Sequence, residues 1–181
     1  MIIIDPADAS ILPPAREFAI LQTDLHPGKN GAISDSVHLQ AANPEFVVFN
    51  GYANQHAGKN ALTINKGELV RVFVQNAGPN RWSAFHVIGA LFDRVFVEGI
   101  YTENLTRGCQ TLNLAPSQGA VVEFTVEEDG SYPFCLTIST TMPRVPSGSS
   151  RRTARAPEKS RSVSPAIRGV RSRPGEMLAR D

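Results

Sequence analysis

The chain has 181 residues, and its charge and aromatic content are distributed unevenly along its length. Residues 1–140 carry 8 Lys and Arg against 14 Asp and Glu, a net charge of −6. Residues 141–181 carry 10 basic and 3 acidic side chains, a net charge of +7, and all 13 aromatic residues lie at or before Phe134. Only the first part has the composition of a folded domain, and the overall charge of +1 indicates no class of partner.

Cysteine usage and the length of the apolar runs exclude several classes of protein. The two cysteines, Cys109 and Cys135, belong to no CxxC or Cys/His zinc motif. The opening Met-Ile-Ile-Ile-Asp-Pro is too short for a signal peptide and lacks its basic residues. No apolar run approaches the roughly 20 residues of a membrane span. The sequence therefore predicts neither a disulfide framework nor a structural zinc site nor a membrane-spanning segment.

Short strand-like runs separated by turn residues follow one another up to Phe134. Residues 1–4 are a β-branched run stopped by Asp5-Pro6, residues 7–14 have the composition of a linker, and residues 29–44 resemble a polar loop. The other strand candidates are residues 17–24, 45–50, 61–64, 69–75, 82–88, 91–97, 111–114, 120–126 and 131–134. Closely spaced turn signals without helical periodicity predict an antiparallel β-sandwich or Greek-key barrel.

Alternation is clearest in two of these strands. Val70, Val72 and Val74 share one face of residues 69–75, and apolar residues again occupy every second position of residues 120–126. This two-residue period predicts strands with one face on the core and the other toward solvent.

One histidine, His86, lies in an apolar strand candidate that follows a Gly-Pro-Asn turn. Neutral imidazole is a good copper ligand, but a lone histidine on an apolar strand is more often a hydrogen-bonded core residue. The other histidines, His26, His38 and His56, fall in turns or loops and are predicted to be solvated.

Three segments of this chain carry a family resemblance. They read Phe-Val-Val-Phe-Asn-Gly-Tyr-Ala-Asn-Gln at residues 46–55, Ala-Gly-Pro-Asn-Arg-Trp-Ser-Ala-Phe-His-Val-Ile-Gly at residues 77–89, and Gly-Ser-Tyr-Pro-Phe at residues 130–134. Together they resemble the C-terminal cupredoxin domain of copper-containing nitrite reductases and related two-domain multicopper oxidases. The resemblance implies an all-β, cupredoxin-like Greek-key β-sandwich at residues 15–134. Residues 1–14 would then be the end of an upstream domain and a linker.

The resemblance also implies a copper-dependent oxidoreductase. In such proteins an N-terminal cupredoxin domain, which we expect this chain to lack, carries the type 1 copper and most ligands of the type 2 copper. A neighbouring subunit, usually of a trimer, adds one further histidine, and the matching residue here is His86. The implied substrate is nitrite or dioxygen, and the intact proteins are periplasmic or secreted. Asp93 and Glu98, which lie in and after the following strand candidate, are candidates for carboxylates that orient the ligand.

The residues leave open a second function, that of a non-catalytic cupredoxin-like module that binds a partner or forms oligomers. Exposed Arg81 and Trp82 would suit such an interface, whereas a buried Trp82 would be an ordinary core aromatic. One histidine cannot form a closed metal site, so we expect this chain alone to be inactive.

Residues 135–181 have a different character. Arg, Ser and Pro are frequent in them, no aromatic residue is interleaved for stacking on bases, and no histidine follows Cys135 to complete a blue-copper site. Codons compatible with residues 135–149, read in another frame, give a sequence similar to the ending of the family. We therefore expect a disordered, basic, out-of-frame tail, no closing strand and low stability. The alternative is a functional tail whose Arg and Lys residues bind nucleic acid or acidic surfaces, and the lack of aromatic residues disfavours nucleic acid.

Overall fold

The computed structural model describes residues 1–29, 34–102, 106–136 and 166–170. These residues form β-strands with very little helix. The strands are β1 (Arg16–Leu25), β2 (Phe46–Phe49), β3 (Leu62–Asn65), β4 (Leu69–Asn76), β5 (Ser83–Val87), β6 (Arg94–Val97), β7 (Thr111–Leu114), β8 (Gly119–Thr125), β9 (Gly130–Leu136) and β10 (Ala166–Val170). One α-helix, α1, covers Ser36–Gln40, and two 3₁₀ turns cover Ala9–Ile11 and Gly58–Asn60 in the described residues.

The described strands form two five-stranded sheets. Their orders are β2-β1-β4-β8-β6 and β3-β10-β9-β5-β7. Most neighbours are antiparallel, but β1 runs parallel to β4 and β10 runs parallel to β3. The predicted all-β sandwich is confirmed, whereas its purely antiparallel character is not. A strand's side-chain period does not reveal the direction of its neighbour, which is why alternation could not predict the parallel pairs.

The core lies between the two sheets and contains a chain of aromatic contacts. Phe85 stacks on Phe92 with ring centroids 6.0 Å apart and contacts Phe134 at 6.2 Å, while Phe92 contacts Phe124 at 6.1 Å. All four side chains are fully buried. Since burial of one such side chain contributes about 1.5–3 kcal/mol, these contacts hold β5 and β9 of one sheet against β8 of the other.

The central strand β4 is buried on both faces, which differs from the prediction of one solvated face. Its three valines face the core as expected, but Arg71 and Phe73 on the opposite face are only 3% and 6% exposed. The segment before β1 covers this outer face, because Leu12 packs there and the carbonyl oxygen of Pro13 accepts a hydrogen bond from Arg71.

Two segments that precede β2 also differ from the predictions. Residues 1–4 form no strand with the described residues, and Ile2 and Ile4 are 89% and 77% exposed. The predicted polar loop at residues 29–44 contains α1, which begins after Asp35, a residue whose carboxylate accepts hydrogen bonds from the first backbone N–H groups. Within the described residues, no helix combines the length and the apolar character needed to cross a membrane.

The end of the described structure contains a strand that the sequence did not predict. β9 continues past Phe134, and β10 lies between β9 and β3. Ile167 of β10 is only 1% exposed and belongs to the core. The structure thus places a strand where we expected none, and the rest of the predicted disordered tail, residues 137–165 and 171–181, lies outside the described residues.

Candidate metal site

His86 lies in β5 on the face of its sheet that points away from the core. Its neighbours Phe85 and Val87 are fully buried, whereas His86 is only partly buried, as the two-residue period of a strand requires. Thr111 of β7 and Cys135 of β9 lie opposite it in the strand register. His86 therefore stands in the middle of three paired strands, on a rigid base.

A hydrogen bond to the main chain fixes the ring of His86. Its Nδ1 atom lies 2.5 Å from the carbonyl oxygen of Gln110. Because a carbonyl oxygen can only accept, Nδ1 donates, and the neutral ring keeps its lone pair on Nε2. Metal-binding histidines commonly hold their second nitrogen in this way. His86 is therefore suited to bind a copper ion through Nε2.

The surface on either side of His86 is apolar and exposed. Trp82 just before β5, Ile88 just after it and Leu91 in the following turn are 65%, 50% and 52% exposed. Large exposed apolar side chains, Trp among them, are frequent where proteins contact other molecules. Trp82 is thus not a core aromatic, and its place in an interface stays a prediction.

The described residues supply His86 but not a complete metal site. Among them, no three His, Cys, Asp or Glu side chains are grouped so that they could hold one metal ion. Asp93 and Glu98 are exposed and lie just before and just after β6, in the sheet opposite to that of His86. The observed partner of the ring is the Gln110 carbonyl, and a role for the two carboxylates stays a prediction. Sequence reasoning missed Gln110 because a main-chain carbonyl carries no residue signal.

The two cysteines lie in different surroundings. Cys109 packs against the core, and burial raises the pKa of its thiol. Cys135 is partly buried beside His86, and both thiols are free. The absence of a blue-copper site at Cys135 stays a prediction from the sequence.

Two histidines that were predicted to be solvated are buried. His26 is 6% exposed and His56 is 8% exposed, and the ring of His56 contacts that of Phe134 in the core. The Nε2 atom of His56 lies 3.1 Å from Nδ2 of Asn50, and burial lowers the pKa of His56. His38, which is exposed on α1, agrees with the prediction.

Comparisons with known proteins agree with this architecture. No protein-family model matches the chain. Over 141 residues, which are 73% of this chain and 34% of the relative, it is 43% identical to a copper-containing nitrite reductase of Neisseria gonorrhoeae. A copper nitrite reductase from Nitrosomonas europaea superposes with a TM-score of 0.68 and 25% identity, over 93% of this chain and 54% of that one. A copper-containing nitrite reductase from Thermus scotoductus SA-01 gives a TM-score of 0.60 and 26% identity, over 68% of this chain and 27% of that one.

The chain carries a cupredoxin-like domain related to those of copper-containing nitrite reductases. The resemblance drawn from three short segments is therefore confirmed, and so is the cupredoxin-like sandwich. This cupredoxin-like chain spans about a third of the length of the curated relatives that it matches. The names of these relatives indicate that such a domain belongs to proteins of the copper oxidoreductase type.

Proposed function

We propose that this chain is the C-terminal cupredoxin-like part of a copper-dependent oxidoreductase, in which His86 supplies one ligand to a type 2 copper at a subunit interface. The observation that carries the proposal is the ring of His86, held at Nδ1 by the Gln110 carbonyl, so that the Nε2 lone pair of the neutral ring is the atom that would bind a metal. The relatives named copper-containing nitrite reductases support the same assignment. Copper bound there would accept an electron and offer an open position to nitrite or dioxygen.

The chain's own residues position and shield this ligand. The Gln110 carbonyl keeps the proton on Nδ1 and fixes the plane of the His86 ring. Pairing of β5 with β7 and β9 on both sides limits the movement of the ligand relative to the core. In the assembled protein, the exposed Trp82 and Ile88 would pack against a neighbouring subunit and keep water away from the ring.

The proposal requires partners that supply the rest of the site. An N-terminal cupredoxin domain would carry the type 1 copper and the remaining type 2 ligands, and the assembly would be a homo-oligomer, in the family a trimer. Nitrite or dioxygen is the proposed substrate, and the proposed compartment is the periplasm or the cell exterior. Asp93 and Glu98 stay candidates for carboxylates that act near the site.

Reconstitution tests the proposal. The chain is combined with the N-terminal cupredoxin domain of the Neisseria gonorrhoeae relative, loaded with copper and examined by electron paramagnetic resonance. We expect a type 2 signal that His86→Ala removes and that His38→Ala, a matched exposed histidine, leaves intact. A type 2 signal that persists in His86→Ala would contradict the assignment, and so would the absence of the signal from a complex shown to assemble.

The alternative is a non-catalytic cupredoxin-like module that binds a partner or oligomerises. The exposure of three large apolar side chains near β5, Trp82, Ile88 and Leu91, is the observation that favours it. In that case Trp82→Ser would weaken association measured by analytical ultracentrifugation, while copper content would be the same with and without His86→Ala.

A further inference from the structure

A second group of ligand-type side chains surrounds a small cavity at the end of β1. The cavity has a volume of about 170 Å³ and is lined by His26, Pro27, His38, Asn43, Pro44 and Glu45. Two backbone hydrogen bonds bring these segments together: Asp35 N–H donates to the His26 carbonyl over 2.9 Å, and Glu45 N–H donates to the Leu25 carbonyl over 3.0 Å. β1 belongs to the sheet opposite to that of His86, so this cavity is not part of the surface already described.

His26 is the buried member of this group. Its side chain is 94% buried, yet neither ring nitrogen has a hydrogen-bond partner in the described part of the chain. A buried polar atom without a hydrogen-bond partner is unfavourable, so binding of an occupant that bonds to the His26 ring would be favoured. Because a neutral imidazole carries one lone-pair nitrogen, that occupant can be a metal ion.

His38 stands at the rim of the same cavity with a carboxylate behind it. Its Nδ1 atom lies 2.8 Å from Oδ2 of Asp35, and its side chain is 57% exposed. A carboxylate that accepts the Nδ1 proton leaves the lone pair on Nε2, the arrangement found behind many metal-binding histidines. Glu45, also exposed, lines the same cavity and carries carboxylate oxygens of the type that bind metal ions.

We propose that this cavity binds a divalent transition-metal ion of the zinc class through His26 and His38, with Glu45 as the third protein ligand. Two imidazoles and one carboxylate are a donor set that Zn²⁺ accepts, with water at the fourth position. No three ligand-type side chains in the described residues already surround one point. Binding therefore requires the exposed side chains of His38 and Glu45 to rotate toward the buried His26.

Calorimetric titration of the purified full chain with Zn²⁺, in the presence of a reductant, tests this site. We expect one ion per chain and at least a tenfold loss of affinity in His38→Ala. Because His38 is exposed, this substitution should leave the fold intact, so a loss of affinity would report on the ligand itself. His26→Gln should weaken binding to a similar extent. His86→Ala should bind Zn²⁺ as tightly as the unaltered chain, which separates this site from the proposed copper ligand.

Nuclear magnetic resonance of the histidine rings provides the second readout. Signals of His26 and His38 should shift together as Zn²⁺ is added, with the same midpoint as in the calorimetry. An absence of binding, or binding that His38→Ala and His26→Gln leave unchanged, would overturn the proposal. The same holds if Zn²⁺ uptake disappears only when His86, Cys109 or Cys135 is replaced, because the ion would then bind elsewhere.

Discussion

His56 connects the loop after β2 to the core through two contacts. Its Nε2 atom accepts a hydrogen bond from Asn50, and its ring centroid lies 5.9 Å from that of Phe134. Asn50 in turn donates to the Ala19 carbonyl over 3.0 Å and accepts from the Leu21 N–H over 2.7 Å. Because the amide of Asn50 donates to Nε2 of His56, Nε2 must carry a lone pair and the ring must be neutral. Protonation of His56 would therefore break the hydrogen bond that connects this loop to β1 through Asn50.

We therefore expect acidification to destabilise the fold through His56. Burial lowers the pKa of His56 in the folded chain, whereas an unfolded histidine titrates near pH 6.5. Between these two pKa values the unfolded chain binds more protons. The contribution is therefore complete above about pH 6.5 and decreases as the pH falls through the folded pKa. Urea unfolding at pH 7.5 and 5.5 should show a smaller pH effect in His56→Gln, which keeps an acceptor for Asn50. Equal pH effects would show that His56 contributes nothing.

Gly89 ends the segment that contains His86, and its backbone conformation is unfavourable for residues with a side chain. Its φ is +88°, and a Cβ atom there would lie 3.3 Å from Cδ1 of Tyr132. Gly67 has a similar φ of +74° with nothing within 4 Å of such a Cβ. A left-handed conformation costs an alanine about 1–2 kcal/mol, so both Gly→Ala variants should lose stability. Gly89→Ala should lower the free energy of unfolding, measured in urea, more than Gly67→Ala does. Equal decreases would mean that the Tyr132 ring moves away from the new methyl group at no measurable cost.

At the scale of single elements, β10 offers a direct test of its place in the sandwich. It pairs with β3 on one side and β9 on the other, and Ile167 is 1% exposed while its neighbour Arg168 is exposed. Ile167→Ala should lower the free energy of unfolding by about 2–4 kcal/mol, because it leaves a cavity in the core. Arg168→Ala should change it little. If the two variants unfold at the same urea concentration, β10 does not hold this position in solution.

Alternation and turn residues were sufficient to predict the strands that carry most of the core. β4, β5, β7 and β8 lie within about one residue of the predicted runs. β10 was missed because Ala-Ile-Arg-Gly-Val lies among Arg, Ser and Pro residues, and its pairing with β3 joins residues about a hundred positions apart. α1 was missed because five residues are too few to show a helical period.

Site residues were predictable only where a residue type stands out in its sequence context. His86 was recognisable as a histidine in an apolar strand, and the structure places it on the outer face of β5. The Gln110 carbonyl and the burial of His26 were not predictable, because both depend on how segments distant in sequence fold together. A histidine in a turn is predicted to be solvated from its local sequence, and only tertiary contacts, which that sequence does not show, can bury it.

At the scale of the whole molecule, buried charges attach the segment before β1 to the outer face of a sheet. Arg71 lies 2.7 Å from Glu123 and 2.5 Å from Glu17, and Arg94 contacts the other carboxylate oxygen of Glu123. Burial alone would lower the pKa of Arg71, but its hydrogen bonds to Glu17 and Glu123 outweigh that effect and raise it. The same two arginines donate to the carbonyl oxygens of Pro13 and Ile11.

Glu123→Gln tests whether this cluster holds the segment in place. Glu123 is fully buried between two arginines, so removing its charge takes away the described carboxylate partner of Arg94 and leaves Arg71 with Glu17 alone. This loss should cost about 3–5 kcal/mol of stability. Glu17→Gln removes a half-exposed partner and should cost less than about 1 kcal/mol. Hydrogen exchange should also accelerate at residues 9–12 in Glu123→Gln. Arg71 and Arg94 would lose the ion pair that positions them to donate hydrogen bonds to the carbonyl oxygens of this segment. Loss of stability with unchanged exchange would mean that the cluster supports the sheet alone. In that case the apolar contact of Leu12 with the outer face of the sheet would hold the segment instead.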